Sequence, residues 1–344
     1  MRIHVYSETQ FSSKREGFTL KGNGVHTAFV DHVELLKSKN DIEVVVNNEG
    51  RGDIYHCHTW GLYYFLKGIG YKNRRIHTVH VIPDSIKGSL PMYKLLMPVV
   101  KWYFKRVYSY ADVCIAISPT VENAIRALGA KTDIVSIYNP INTDKWKRTP
   151  ENRKKGRDYL GLNEHDFVVL GVGQLIARKG VEDFIDIAGL IPEAKFIWTG
   201  GRMLKTFSEG VARIDARIES APENIKFTGM LDLDIMPEIY AAADLMLFPS
   251  YQENCPLAPI EAAASGIPVV FRDIPEYTAL YDHYYLKAGN NDAFANMTRK
   301  LMNNKTDYEN GVSVSKQLIE QFDKEVVRSK LIDLYQSLTV KIEG

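Results

Sequence analysis

The chain has 344 residues, of which 45% are hydrophobic and 25% charged, the composition of an ordinary globular protein. One hydrophobic core rarely serves so many residues, so the length predicts two domains. Cys57, Cys114 and Cys255 are odd in number and lack CxxC spacing, which excludes a disulfide framework and a zinc cage and predicts a reducing compartment. The sequence contains no stretch of about 18 apolar residues, so it predicts no membrane-spanning helix. Its opening residues are typical of a strand rather than a signal peptide.

The net charge of +1 is unevenly distributed between the two halves of the chain. Residues 1–150 carry 21 Lys and Arg against 13 Asp and Glu, whereas residues 151–344 carry 22 against 29. The halves therefore have net charges of +8 and −7. A basic half on a nearly neutral protein predicts that one domain faces something anionic, with chance segregation of the charges as the alternative.

The first half alternates short apolar runs, rich in β-branched residues, with helical patterns. Nearly continuous apolar runs are typical of parallel strands covered on both faces. The predicted strands are 3–7, 42–46, 53–59, 75–81, 112–118 and 134–139, and the predicted helices are 24–39, 60–69, 90–110 and 119–129. This alternation predicts an α/β domain with a doubly wound parallel sheet.

A polar stretch at 139–158, with two prolines and many charges, is the predicted interdomain linker. The same strand and helix pattern then resumes. The predicted strands are 167–173, 195–201, 225–229, 245–250 and 267–273, and a long last helix is predicted at 312–340. Ligands of open α/β sheets bind beyond the carboxyl ends of the strands, where Gly173, Gly201, Gly229 and Glu253 lie.

The segment YQENCPLAPIEAAASGIPVV, residues 251–270, contains two glutamates that are unusual for their positions. Glu253 follows a strand end, and Glu261 lies in an Ala-rich helix, where a carboxylate is costly unless it accepts hydrogen bonds. A ribose with two hydroxyls would supply those bonds. The backbone amides between Glu253 and the helix start favour a phosphate, because helix N-termini carry free N–H groups. The amides concerned belong to Asn254, Leu257 and Ala258.

The segment GVGQLIARKG, residues 171–180, places two cations beyond another strand end. Arg178 and Lys179 stand next to a helix start and can clamp a pyrophosphate. The alternative interpretation is a solvated basic turn.

These two segments, in this order, resemble the family-4 retaining glycosyltransferases of GT-B fold over nearly the whole chain. TGGR (199–202), FTGML (227–231), YAAADLMLFPS (240–250) and ASGIPVV (264–270) stand where the family has its equivalents. The resemblance implies two Rossmann-like domains that face a cleft. An N-terminal acceptor domain would span 1–142, with the C-terminal helix of about 320–344 packed back on it. A C-terminal nucleotide-sugar donor domain would span 143–319.

The resemblance also implies roles for individual residues. Glu253 would sit by the donor hexose as a catalytic residue, Glu261 would hold the ribose, and the loop cations would hold the diphosphate. Further donor-binding residues implied by the matching motifs are Gly22, Gly24, Gly201, Arg202, Gly229 and Met230. His80 ends a strand where the family often has a histidine near the reacting sugar, and it is the second predicted catalytic residue.

Three departures from the family pattern affect the donor site. Gln174 replaces the arginine that usually follows the glycine at 173, so Arg178 is the candidate replacement cation. Cys255-Pro256 follows the first glutamate and removes one backbone donor, because proline has no N–H. Asn139-Pro140-Ile141-Asn142 replaces the usual Asn-Gly-Val-Asp.

The sequence contains two patterns that could suggest a metal site. His56 and His58 form an HxH pair, but no third ligand of suitable spacing is apparent. Asp232 and Asp234 form a DxD that we interpret as a solvated helix start. We therefore predict that the protein binds no metal. We also predict no cofactor besides a UDP-sugar co-substrate, and no nucleic-acid partner.

A dehydrogenase is excluded, because the sequence has no G-x-G-x-x-G after a strand with an acidic residue about 20 positions further on.

The segment 85–111 contains no acidic residue and mixes cations with aromatic and aliphatic side chains. This pattern is typical of a helix that lies in an anionic membrane interface, with a core-packed helix as the alternative. The predicted membrane-binding residues are Lys94, Lys101, Trp102, Lys105 and Arg106. Bacterial glycolipid synthases of the family look similar here, including HVIPDSIKGSLP at 80–91.

The predicted function is therefore transfer of a hexose, glucose or galactose, to a lipid acceptor such as diacylglycerol or its monoglycosyl form. The predicted location is cytoplasmic, peripherally on the inner face of the cell membrane. The alternatives are a soluble or cell-surface polysaccharide acceptor, a GT-B sugar-nucleotide epimerase and a non-catalytic binding protein.

Overall fold

The computed structural model describes residues 1–9, 24–38, 41–47, 50–86, 93–201, 211–282 and 285–340. The side chains of Ile86, Tyr93, Lys94, Val211 and Val340 lie outside this description, as do Gly22 and Arg202. The chain forms two compact units. The first consists of Met1–Pro140 and Gln321–Gly344, and the second of Ile141–Glu320.

The first unit contains a six-stranded parallel sheet in the order β2-β1-β3-β4-β5-β6. Its strands are β1 (Arg2–Tyr6), β2 (Glu43–Val46), β3 (Ile54–Cys57), β4 (Arg75–Val79), β5 (Val113–Ala116) and β6 (Asp133–Ser136). The helices of this unit are α1 (Gly24–Lys37), α2 (Leu62–Gly68), α3 (Tyr93–Tyr110), α4 (Pro119–Ala127) and α14 (Lys324–Val340). Every residue of β3 and β5 is buried, as the continuous apolar runs predict for strands covered on both faces.

The second unit contains a six-stranded parallel sheet in the order β12-β11-β10-β7-β8-β9. Its strands are β7 (Val168–Val172), β8 (Lys195–Thr199), β9 (Ile225–Gly229), β10 (Leu245–Phe248), β11 (Val269–Arg272) and β12 (Leu286–Ala288). Its helices are α5 (Thr143–Trp146), α6 (Pro150–Leu160), α7 (Val181–Leu190), α8 (Val211–Glu219), α9 (Met236–Ala242), α10 (Leu257–Ala264), α11 (Pro275–Tyr281), α12 (Asn291–Asn303) and α13 (Lys305–Ile319). The sequence analysis missed β12, which is only three residues long.

Both sheets confirm the predicted doubly wound α/β class. Each has a switch point, where successive strands are added on opposite sides of one central strand. In the first sheet, β2 and β3 lie on opposite sides of β1. In the second, β8 and β10 lie on opposite sides of β7. Such switch points open a crevice at the carboxyl ends of the strands, where ligands bind in this architecture.

The C-terminal segment differs from the predicted single helix at 312–340. It consists of α13, a short 3-10 turn at Glu320–Phe322, and α14. The turn buries Phe322 against Tyr138 with ring centroids 5.1 Å apart, and the Asp323 side chain accepts from the Glu325 N–H at 2.8 Å. A buried anchor and an N-cap together end one helix and begin the next. Apolar residues of α14 then join the core beneath β1 and α1.

The predicted linker at 139–158 is shorter than expected, because α5 and most of α6 lie within it. Helix α6 packs on α9 so closely that a methyl group added at Gly156 would overlap the Glu238 carbonyl. Arg157 is buried and donates to the Asp244 carboxylate at 2.8 Å. The buried residues of this helix are Gly156, Arg157 and Leu160, of which only Leu160 is a large apolar residue, so the sequence shows no apolar period.

Candidate active site

The carboxyl ends of β7 and β10 bring Glu253 together with the two cations predicted to act with it. Glu253 is buried, and its Oε1 accepts from Lys179 Nζ at 2.5 Å and from Ser250 Oγ at 2.7 Å. Arg178 Nη1 lies 3.8 Å from Oε2. Burial raises the pKa of this carboxyl, but Lys179, Arg178 and the Ser250 hydrogen bond outweigh it and leave the pKa below its usual value. Glu253 is therefore ionised at neutral pH.

Backbone geometry fixes the loop that carries Arg178 and Lys179. The loop ends in a 3-10 turn at Ala177–Lys179, followed by Gly180 with a φ of 71°. A side chain at Gly180 would overlap the Pro249 carbonyl oxygen, so only glycine fits both the φ angle and the space. Arg178 Nη1 donates to the Gln252 carbonyl at 2.6 Å, and the Tyr251 N–H donates to the Arg178 carbonyl at 2.9 Å. These bonds hold the loop after β7 against the loop after β10.

Glu261 lies on α10 with a partner that the sequence analysis did not identify. The Tyr240 hydroxyl on α9 donates to Glu261 Oε2 at 2.7 Å. Tyr240 is fully buried, and Trp146 packs edge-on against its ring with centroids 5.3 Å apart. Burial, together with the negative charge of Glu261, raises the pKa of Tyr240 well above its usual value, so the tyrosine stays a donor. The only sequence signal for this pair was the Tyr in the YAAAD motif.

The start of α10 presents backbone donors beside Glu253. Pro256 is the N-cap residue, and the first turn carries Leu257 and Ala258. N–H groups of a first turn have no partner within their own helix, so they suit an anion. Asn254 precedes them, and its side chain accepts from Gln252 Nε2 at 3.2 Å.

The glycines predicted to bind the donor lie at the ends of adjacent strands. The Gly200 N–H donates to the Gly229 carbonyl at 2.9 Å, and the Leu175 N–H donates to the Gly201 carbonyl at 3.1 Å. Gly201 also lies against Met230, whose side chain a methyl group added at Gly201 would contact at 2.7 Å. The structure therefore brings Gly201, Gly229 and Met230 together, while Arg202 lies outside the described residues.

In the first unit, His80 follows β4 and is buried beside His58. His80 Nε2 and His58 Nδ1 lie 2.9 Å apart, so one of them donates to the other. Burial lowers the pKa of His80 to about 4, so its ring is neutral at pH 7. Gly24 is the first residue of α1. Gly22, the other glycine of the predicted phosphate loop, lies outside the described residues.

The prediction that His56 and His58 lack a third partner is wrong, because His32 of α1 lies beside them. The three residues offer ring nitrogens within 4.8 Å of one another. The Tyr335 hydroxyl lies 2.7 Å from His56 Nδ1 and 3.1 Å from His32 Nε2, and Thr78 Oγ1 lies 2.6 Å from His56 Nε2. We interpret His32, His56 and His58 as a hydrogen-bonded histidine cluster.

Helix α3 carries the predicted membrane-binding side chains on its exposed face. Lys101, Lys105 and Arg106 are exposed, and Trp102 is 59% exposed with Arg106 5.7 Å from its ring centroid. Phe104, Val107 and Tyr108 are buried on the other face, so the predicted core-packed alternative holds for that face. The Lys94 side chain lies outside the described residues.

Helix α2 lies beside α3 and adds apolar surface that the sequence analysis missed. The rings of Phe65 and Tyr110 are 5.0 Å apart, and the Tyr110 hydroxyl donates to the Phe65 carbonyl at 2.8 Å. We call the exposed large apolar side chains of these two elements the α2–α3 surface. It consists of Leu62, Tyr63 and Leu66 of α2, Ile69 directly after α2, and Leu95, Leu96, Val99 and Trp102 of α3. Among the described residues, no helix has the length and apolar character needed to cross a membrane.

Two protein families match the chain. The family described as "Glycosyltransferase Family 4" matches residues 34–145, and "Glycosyl transferases group 1" matches residues 166–304. The alpha-galactosylglucosyldiacylglycerol synthase of Streptococcus pneumoniae is 31% identical over 291 residues, covering 83% of this chain and 76% of that protein. The processive diacylglycerol alpha-glucosyltransferase of Acholeplasma laidlawii is 28% identical over 308 residues, covering 88% of each.

Solved structures share the fold at low sequence identity. Anabaena HepE in complex with UDP-glucose has a TM-score of 0.76 and 18% identity, covering 98% of this chain and all of that chain. The sucrose-phosphate synthase from Thermosynechococcus elongatus has a TM-score of 0.76 and 17% identity, covering 99% of each. The matched families, the relative at 31% identity and the two doubly wound sheets lead to one conclusion. The chain is a glycosyltransferase of GT-B fold and belongs to glycosyltransferase family 4.

Proposed function

We propose that the protein transfers a hexose, glucose or galactose, from a UDP-sugar to a membrane glycolipid acceptor, either diacylglycerol or its monoglycosyl form. The observation that carries the proposal is the basic, Trp-bearing exposed face of α3 beside the apolar α2–α3 surface. The names of the two curated relatives support a diacylglycerol-based acceptor, and the UDP-glucose complex of HepE supports a UDP-sugar donor.

The second unit supplies the groups that hold the donor. Lys179 and Arg178 hold the diphosphate, together with the N–H groups of Leu257 and Ala258. Glu261 accepts the ribose hydroxyls, and Gly229, Met230 and Gly201 line the base and phosphate positions. Glu253 fixes hydroxyls of the hexose. The first unit is the acceptor domain.

The reaction retains the anomeric configuration through front-face displacement. The acceptor oxygen bonds to the anomeric carbon, the bond from that carbon to the diphosphate oxygen breaks, and the acceptor proton passes to the departing diphosphate. Lys179 and Arg178 stabilise the charge that develops on the leaving group. His80 hydrogen bonds to the sugar or acceptor as a neutral imidazole, because burial keeps its pKa near 4. No metal takes part, so EDTA leaves the rate unchanged.

A donor and acceptor screen tests the function. UDP- and GDP-sugars are incubated with diacylglycerol, glucosyl-diacylglycerol and soluble glycans, and the products are identified by mass spectrometry and NMR. The proposal expects an α-linked glycolipid from a UDP-hexose. Transfer only to soluble glycans would contradict the lipid acceptor. An epimerised nucleotide formed without any acceptor would contradict transfer itself, and loss of activity in EDTA with rescue by Mn²⁺ would contradict metal independence.

The Tyr240–Glu261 pair gives a specific prediction for donor binding. Tyr240→Phe removes one hydrogen bond to a charged acceptor, an interaction of about 1.5–3 kcal/mol. Glu261 then loses its fixed orientation, so we expect the KM for the UDP-sugar to rise about tenfold while kcat stays within about twofold. Steady-state kinetics with UDP as a product inhibitor measure both effects, because the inhibition constant should rise in parallel.

Tyr159 of the same unit provides the control for that substitution. Its side chain is 52% exposed, and it is not among the residues assigned to the donor. Tyr159→Phe should therefore leave the donor KM unchanged. An unchanged KM in Tyr240→Phe as well would remove Glu261 from the ribose site.

Membrane binding is the second prediction, with the enzyme at the inner face of the cell membrane. We expect flotation with vesicles that contain anionic lipid, weakening as salt is raised. Each cation near an anionic leaflet contributes about 1 kcal/mol, so reversing three should weaken partitioning roughly a hundredfold or more. The test variant combines Lys101→Glu, Lys105→Glu and Arg106→Glu, and the reversal of Lys94 extends it.

Two further variants separate the contribution of the α3 cations to membrane binding from the contributions of the net charge and of the inserted apolar side chains. Arg2→Glu, Lys37→Glu and Lys330→Glu reverse three exposed cations elsewhere in the same unit, and this control should still float. Leu62→Ser with Leu66→Ser should lower the binding that persists at high salt, because that part depends on buried apolar area. Equal loss in both triple variants would mean that only net charge matters.

A further inference from the structure

The switch point of the first sheet carries polar groups to which the mechanism above gives no role. The segment after β1 contains Ser7, Glu8 and Thr9, and the segment after β3 runs through His58 and Thr59 to Gly61. Because β1 and β3 are neighbours at the reversal of strand order, these segments border the crevice where this architecture binds ligands.

Glu8 is the carboxylate of this switch point, and Gly61 makes room for it. The Glu8 N–H donates to Thr59 Oγ1 at 3.0 Å, and the Glu8 carboxylate accepts from the Gly61 N–H. A methyl group added at Gly61 would overlap both carboxylate oxygens. Gly61 has a φ of −76°, which any residue can adopt, so the position needs glycine for space and not for backbone conformation. Burial raises the pKa of Glu8, so the carboxylate is partly withdrawn from water.

Aromatic residues from α3 and from the segment after β3 lie near this carboxylate. Trp60 precedes Gly61, and its carbonyl accepts from the Tyr103 hydroxyl at 2.5 Å. The Trp60 ring lies edge-on to Tyr103, with centroids 6.2 Å apart. Burial, and then the charge of Glu8, raise the pKa values of both Tyr6 and Tyr103, which places Glu8 near both rings. Tyr103 lies in the middle of α3, the helix that carries the proposed membrane-binding cations, so the carboxylate lies near that helix.

We propose that Glu8, with Trp60 and Tyr103, forms a subsite that binds the hydroxyls of a hexose already present on the acceptor. The inference rests on the proposed function and selects the monoglycosyl lipid over diacylglycerol as the acceptor. A carboxylate has two oxygens and about four lone-pair sites, so it matches the adjacent hydroxyls of a sugar better than the single hydroxyl of diacylglycerol. Aromatic rings provide the apolar surface that the C–H face of a sugar contacts.

A second explanation for Glu8 is that it only caps the N-terminus of α2 through the Gly61 N–H. Two substitutions separate the explanations. Glu8→Gln keeps an oxygen that can accept from Gly61 but removes the charge that strengthens bonds to sugar hydroxyls. Gly61→Ala keeps the charge but pushes the carboxylate out of its position. If Glu8 only caps the helix, Glu8→Gln should have little effect on the kinetics. If Glu8 belongs to the subsite, both variants should raise the KM for the glucosyl lipid.

Kinetics on mixed vesicles that contain either glucosyl-diacylglycerol or diacylglycerol test the subsite. We expect the wild-type protein to prefer the glucosyl lipid, and both variants to raise its KM at least tenfold. Hydrolysis of the UDP-sugar without acceptor should stay within about twofold, because Glu8 and Gly61 are not among the groups assigned to the donor. Glu43→Gln removes an exposed carboxylate of the same unit, paired with Arg2, and should leave every parameter unchanged.

The outcomes distinguish failure of the subsite from failure of the proposed function. An unchanged KM in Glu8→Gln would overturn the subsite, as would a wild-type protein that glycosylates diacylglycerol but not its glucosyl form. In both cases lipid glycosylation would stand. A wild-type protein that transfers sugar to neither lipid would overturn the proposed function. Binding of octyl glucoside below its micelle concentration, followed by tryptophan fluorescence, would then still decide the subsite, since Glu8→Gln should weaken it at least fivefold.

Discussion

Glu253→Gln should reduce kcat/KM by about 10³-fold, because the substitution removes a charge that the site holds in a fixed position. Loss of one preorganised polar group in an active site typically lowers kcat by 10² to 10³. The substitution also leaves Lys179 without its ion-pair partner, because the Lys179 ammonium lies 2.5 Å from the Glu253 carboxylate in a mostly buried position. Steady-state kinetics with saturating donor should show the loss in kcat, while the donor KM changes less than in Tyr240→Phe.

The same substitution should destabilise the second unit, and a double variant separates the two effects. Breaking a buried ion pair from one side costs about 3–5 kcal/mol, because the remaining charge is left without its partner. Lys179→Met combined with Glu253→Gln removes both charges and should recover most of the stability without recovering activity. Urea unfolding measures the recovery. A double variant that regained turnover would show that Glu253 acts only by holding the fold.

Acidification should unfold the first unit well before the second. Seven of the nine histidines lie within the first 80 residues, and five of them are buried together: His32, His56, His58, His77 and His80. Burial, and then neighbouring histidines, lower their pKa values, to about 3 for His32 and His77. Burial alone lowers that of His80 to about 4, and His56 and His58 also lie well below 6.5.

The sign of the pH effect follows from these lowered values. Below pH 6.5 these histidines bind protons in the unfolded chain but not in the folded unit. The free energy of unfolding therefore falls as the pH drops from about 6.5 toward 4. Between pH 7.5 and 5.5 each histidine contributes a loss of roughly 1 kcal/mol. Five together approach the whole stability of a typical domain, which is about 5–15 kcal/mol.

Segment-resolved hydrogen exchange at pH 7.5 and 5.5, corrected for intrinsic rates, measures this difference. Residues 50–86 and 113–136 should lose protection, while residues 168–199 and 245–272 should keep it. The second unit is the internal control, since its one described histidine, His165, is exposed. Equal loss in both units would mean that the histidines are not the cause.

Most strands could be predicted from the sequence, because a parallel strand covered on both faces needs a continuous apolar run that is visible locally. Such runs as 53–59 and 112–118 contain β3 and β5. Glu253 and Lys179 could be singled out because each stands beside a strand end with unusual neighbours. Their contact could not be predicted, since it depends on β7 and β10 lying side by side, although β10 begins 73 residues after β7 ends.

The sequence by itself determined the class of fold, the order of the strands along the chain, and the residue types available at each strand end. The tertiary structure alone decided which distant side chains meet: Tyr240 with Glu261, His32 with His56 and His58, and Glu8 with Gly61. It also decided that α2 exposes its leucines beside α3. The physical reason is that hydrophobic periodicity records burial along one element, whereas partners across elements are fixed by sheet order and helix packing, which no local pattern encodes.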